Sequence, residues 1–129
     1  MTVSQETTVI SVPAAYDLSS YQFHVVLLDA AGNACIQTNI APTAGSGIVL
    51  GILQNKPAAA GRAARVAIGG ISKCVAGEAI TAAEIVFPTT SGLTLGSSFL
   101  GVGTFWPHRI GVAMNAASGS LSVFQVLLK

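Results

Sequence analysis

A stretch that recurs at fixed spacing restricts a fold more than composition does, because each copy must adopt the same local structure. Gly32, Gly51 and Val66 return as Gly92, Gly111 and Val126, since 92 − 32, 111 − 51 and 126 − 66 all equal 60. Around them Val25-Val26 faces Ile85-Val86, Leu50-Gly51-Ile52 faces Ile110-Gly111-Val112, and Arg65-Val66-Ala67-Ile68 faces Gln125-Val126-Leu127-Leu128. The pattern reads as a duplicated β unit, or as two hairpin sets that share turn chemistry. At its centre, the β-type runs Ile48 to Gln54 and Arg65 to Ile68 flank a loop marked by Pro57 and Gly61. Gly69-Gly70 is expected to turn the chain into a third run.

The other segments follow the same alphabet. Thr7 to Val12 is a short β-type run ending at Pro13, and residues 1–12 read as an extended N-terminal arm or a frayed end. Gln22 to Leu28 alternates with both faces largely apolar, which predicts a strand buried on two sides. Asp29 to Asn33 is a hairpin connection returning through Ala34-Cys35-Ile36. Residues 75–84 are expected to be extended, with a tight turn at Gly77; Ile85-Val86-Phe87 and Leu93-Thr94-Leu95 then pair across Pro88 to Gly92. Arg109 to Met114 and Leu121 to Leu128 are the last strands. Ahead of them, after Leu93-Thr94-Leu95, Phe99, Leu100, Val102, Phe105 and Trp106 fall among glycines and Pro107, a loop that either covers its own core or meets a partner.

A chain of 129 residues is one domain, with roughly two thirds of its unfolded surface buried on folding. Only 9% of it is charged while 51% is apolar. Ile85 to His108 carries no charge, yet Pro88, Gly92, Gly96 and Pro107 interrupt it far short of ~18 consecutive apolar residues, so no membrane span is expected. Met1 to Glu6 lacks the basic region and apolar core of a signal peptide. The apolar excess is therefore assigned to burial between subunits. A net charge of +1, with Lys56, Arg62, Arg65, Lys73, Arg109 and Lys129 scattered, argues against nucleic acid.

Chemistry-bearing residues are few. His24 and His108 lack a triad context, and neither pairs with Cys35 or Cys74 at metal-ligand spacing. The cysteines read as small buried hydrophobes, with a Cys35–Cys74 bridge left open. Asp17, Asp29, Glu78 and Glu84 sit at turns, where local hydrogen bonding accounts for them. Gly45-Ser46-Gly47 precedes a strand rather than a helix, which is wrong for a phosphate loop. Lys56 and Lys73 lie beside β turns, as a modified carrier lysine would, without the flanking residues of such a site. The expectation is no enzyme, no catalytic residues, no metal and no cofactor.

Ile52 to Gly61, then Val66 to Gly77 with its Gly69-Gly70 and Lys73-Cys74, then Ile110 to Ala113, resemble the small capsid decoration or cement proteins of tailed bacteriophages, over roughly residues 14 to 129. The matching motifs are structural glycines and prolines. The resemblance implies an all-β, compact barrel or sandwich, β-tulip or β-clip-like, built from two related units near 13–69 and 70–129 behind an arm of residues 1–12. It further implies a homotrimer on the outer surface of the virion head, binding the phage major capsid protein, with no nucleic acid, membrane or cofactor. Capsid or protomer contact is expected at Thr7, Val9, Phe99, Phe105 and Trp106, although the Phe99 to Trp106 loop departs from the family pattern. Gly77-Glu78-Ala79-Ile80-Thr81 also looks like β-clip domains, some of which bind sugars, so a glycan or small-ligand module is the alternative, and a carrier domain the third class.

Overall fold

A computed structural model describes residues 7–29, 31–36, 48–88, 93–96 and 110–128, and there the chain is all β, with no helix. Short β-branched and apolar runs stopped by Gly, Pro and Asn make nine strands: β1 Thr7–Pro13, β2 Val25–Leu28, β3 Ala34–Cys35, β4 Ile48–Leu53, β5 Ala63–Val75, β6 Ile85–Pro88, β7 Thr94–Gly96, β8 Gly111–Ala113 and β9 Val123–Leu128. Among the described residues, no helix is long and apolar enough to cross a membrane.

One antiparallel sheet runs β3-β2-β4-β5-β9-β8-β6-β7, with β1 added on β5. It is curled rather than flat. The parallel bridge Ala14↔Ala34 brings the end of β1 to β3, and Ala76↔Thr94 brings the end of β5 to β7. These bridges continue as hydrogen bonds from Ala15 N to Ala34 O, 2.8 Å, and from Gly77 N to Thr94 O, 2.7 Å.

Strand β5 joins the two halves of the sheet, and it corrects the expected turn at Gly69-Gly70. Both glycines lie inside one 13-residue strand. Residues Ala63 to Gly70 pair with β1, Val66 and Ala67 also pair with β4, and Gly70 to Val75 pair with β9. Gly70 has φ +81°, a conformation that glycine adopts without strain, and it sits where the strand changes partners. A local signal for a turn thus marks a bend within a continuous ladder.

The expected strand over Gln22 to Leu28 shortens to Val25–Leu28 for a related reason. Phe23 has φ +64°, rare for a bulky residue. That backbone sends its N–H to Leu53 O at 2.7 Å and leaves its C=O to accept from Val75 N at 3.0 Å. Phe23 therefore ties β4 to the far half of β5 instead of extending β2. The two-sided burial foreseen for the remaining residues is present, with Val25, Val26 and Leu27 all buried.

Two apolar clusters fill the fold. One gathers Ala14, Leu18, Val26, Ala34, Ile36, Leu53, Ala64 and Val66, with Ile10, Val12, Tyr21 and Leu50 packed against it. The other gathers Cys74, Ala76, Ile80, Val86, Ile110, Ala113, Ala117, Phe124 and Val126, and reaches back to Val25 and Ile52. Val25 and Val26 are neighbours on opposite faces of β2, so each serves a different cluster.

Candidate functional site

An open cleft of about 290 Å³ lies where the two halves of the sheet meet, lined by Thr7, Phe23, Gln54, Ile71, Ser72, Lys73 and Gln125. Its residues come from β1, the turn before β2, the position just after β4, β5 and β9, segments far apart in sequence. Lys73 projects from β5 with Nζ 5.7 Å from the centroid of the Phe23 ring, close enough for a cation–π attraction. Gln54 Nε2 donates to Ser72 Oγ at 2.8 Å and to Ile52 O at 3.0 Å, while Gln54 O accepts from Gln22 Nε2 at 3.0 Å. Ser72, 4% exposed, donates to Lys73 O at 2.9 Å, and Thr7 Oγ1 donates to Ile71 O at 2.7 Å. Two of these bonds, Gln54 to Ser72 and Thr7 to Ile71, tie the two halves together. Lys73 is the charged group there, and Gln125 lies opposite it in the ladder.

The other candidate residues are placed as follows. His24 lies just before β2, its Nδ1 3.2 Å from Gln22 O and its ring edge-on to Tyr21 with centroids 5.4 Å apart. No described residue forms a nucleophile–base pair with it, and among the described residues no group of three His, Cys, Asp or Glu side chains could hold a metal ion. The four turn carboxylates accept from backbone N–H groups: Asp17 from Ser19, Asp29 from Ala31 and Asn33, Glu78 from Gly96, and Glu84 from Thr81. Asp17 is held below the usual carboxylate range by its hydrogen bonds from Ser19. Lys73 stands mid-strand rather than at a hairpin tip, unlike a carrier lysine.

Cys35 and Cys74 are free thiols. Burial pushes the Cys74 thiol up to about 12, partly offset by its hydrogen bonds to Thr94 Oγ1 and Val75 O. A folded value above the unfolded 9.0 means that the fold favours the neutral thiol. That contribution is fully present below pH ~9 and is lost as the pH rises towards ~12. The stability difference between the wild type and Cys74→Ala should accordingly narrow by roughly 1 kcal/mol per pH unit over that window, read from urea unfolding. A constant difference would show that Cys74 does not titrate from a buried site.

Of the expected contact residues, Thr7 and Val9 lie in β1, opposite Gly70 and Ala67 of β5. Phe99, Phe105 and Trp106, with His108, fall outside the described residues. Sequence reasoning did not single out the exposed apolar group Ile68, Met114, Leu121 and Val123, 43%, 47%, 68% and 53% accessible. A signal existed: Leu121 and Val123 stand sixty positions after Gly61 and Ala63, apolar where the earlier residues are small. No protein-family model matches the chain, and no curated protein matches it either.

Proposed function

We propose that this is a structural virion protein, a decoration protein that binds the outer surface of a phage icosahedral head as homotrimers and bridges major capsid subunits. The observation that carries the reading is surface chemistry. A chain with 9% charged residues leaves Ile68, Met114, Leu121 and Val123 open to solvent, and contact with another subunit would cover them. The resemblance in the loop and turn segments supplies the partner. A protomer gripping two capsomers gains effective concentration for its second contact and so opposes their separation.

The finer architecture is part of the same proposal: two related β units, near 13–69 and 70–129, the first widened to take in β1, each curled towards a small barrel. Ladder partners support it. Leu27↔Cys35 recurs as Phe87↔Leu95, Val26↔Gly51 as Val86↔Gly111, and Leu53↔Val66 as Ala113↔Val126, each partner shifted by 60 (87 − 27, 86 − 26, 113 − 53). The first strands correspond at 62, since Val12↔Ala64 recurs as Cys74↔Phe124 and 74 − 12 is 62. By that relation the second half of β5 is the first strand of the second unit.

Purified protein mixed with heads assembled from the major capsid protein of the same phage should co-sediment saturably, in multiples of three copies, and raise the temperature at which the heads break open. Trp106→Ala should weaken that binding more than it lowers the protein's own melting temperature. No binding at saturating concentration would overturn the reading. The glycan or small-ligand alternative draws on the cleft beside Lys73 and Gln125. Micromolar binding of an oligosaccharide, abolished by Lys73→Ala, would favour it.

A further inference from the structure

Corresponding residues of the two units are not equally buried, and the inequality falls on two opposite ends of the chain. On the outward face of the first unit, Val25, Ile52 and Ala67 are 0% exposed, neighbours across β2, β4 and β5. Their counterparts sixty positions on, Ile85, Val112 and Leu127, form the same stripe across β6, β8 and β9 but are only half-buried. Val25 and Ile52 are covered because they pack into the cluster of Cys74, Phe124 and Val126, in the second unit.

The receiving side shows the reverse. Ser72, Cys74 and Ile110 of the second unit are 4%, 0% and 5% exposed. Their counterparts Ile10, Val12 and Leu50 are half-buried, with Ile10 and Val12 on β1. One unit has its outward stripe buried and its receiving side, packed on the first cluster, only half-buried; the other has its receiving side buried and its stripe half-buried. Each chain thus carries one spare half of its own internal joint at either end.

We propose that copies of this chain associate head to tail, the Ile85–Val112–Leu127 stripe of one copy laid on the β1 side of the next, Ile10 and Val12, so that the joint within one molecule is repeated between two. The inference rests on the two-unit reading above. Side chains across the joint change together. Within the molecule Gln54 Nε2 bonds Ser72 Oγ at 2.8 Å; the corresponding pair between molecules is Met114 with Ile10, both apolar. Within the molecule Phe23 lies under Lys73; between molecules the pair is Ala83 with Ser11, both small. A hydrogen bond is missing from the repeat, because Val75 N donates to Phe23 O at 3.0 Å whereas the corresponding Pro13 has no N–H. The joint between copies is therefore the weaker of the two. Such a contact uses two different surfaces and closes into a ring when its rotation divides a full turn; three copies would line up six units.

The test uses the full chain without heads, in sedimentation equilibrium up to about 100 µM. Val112→Glu alters the stripe and Val12→Glu the receiving side; Met114→Glu and Ser11→Glu make the same two changes at exposed residues, where folding is not at risk. Each variant alone should associate at least about tenfold more weakly than the wild type. Mixing one stripe variant with one receiving-side variant should give a dimer, because each partner keeps the surface that the other has lost. A monomeric wild type, variants that retain the wild-type mass, or a mixture that stays monomeric while both partners are folded would each overturn head-to-tail association. Unchanged mass in the variants would leave self-association and head binding standing, whereas failure to bind heads would leave this joint untouched.

Discussion

Gly51→Ala and Gly111→Ala should each lower stability by about 3 kcal/mol, a large share of what a domain of this size has. A Cβ on Gly51 would collide with Ala67 O, and one on Gly111 with Leu127 O. Both obstacles are backbone carbonyls of the neighbouring strand, and neither can swing aside as a side chain does. Moving them would break the ladder next to Ile52↔Ala67 or Val112↔Leu127, where β4 meets β5 and β8 meets β9. Glycine is used here for close approach of two strands rather than for a turn. Gly119→Ala is the control, since nothing lies within 4 Å of its added Cβ, and it should stay within about 0.5 kcal/mol of wild type. Urea unfolding of the three variants checks this. Losses below ~1 kcal/mol at both Gly51 and Gly111 would mean that the strands lie further apart than described.

Removing residues 1–13 should abolish cooperative unfolding or cost more than about 4 kcal/mol. The seven residues of β1 pair with β5 from Thr7↔Gly70 to Pro13↔Ala63, with a register shift between Thr8 and Val9. Deleting them would strip one edge of β5 and take Ile10 and Val12 off the first cluster. It would also leave Ala64 and Val66, both 0% exposed, without their cover. A freely extended arm would behave otherwise, its loss leaving the melting temperature unchanged. A thermal melt of the truncated chain therefore separates a strand of the fold from a tether to a neighbour.

Why the β character of Thr7 to Val12 was legible and its destination was not is a matter of range. The β-branched run is local, but its partner lies nearly sixty residues away, and no local pattern names a partner. Gly69-Gly70 failed for the same reason: the dipeptide permits a turn, and only the three strands that pair along β5 make it a bend in a long ladder. Phe23 was read as a strand residue because alternation assigned it a face, whereas two hydrogen bonds to distant strands impose its positive φ. Gly51 and Gly111, noticed for their fixed spacing, each lie inside a ladder, opposite Val26 of β2 and Val86 of β6. For the candidate site the sequence was weaker. The cleft assembles Thr7, Gln54, Lys73 and Gln125 from separate segments, and none of them is unusual in its own neighbourhood. Three of the four turn carboxylates were legible because their partners lie nearby, as Asp29 accepts from the amides of Ala31 and Asn33 in its own loop, whereas Glu78 accepts from Gly96, which no local pattern names.

Electron cryomicroscopy of heads prepared with and without this chain addresses the decoration reading most directly. Extra density on the outer surface, in clusters of three copies astride the boundaries between capsid subunits, is the predicted difference. Identical maps at saturating protein, or added density confined to the interior, would contradict it.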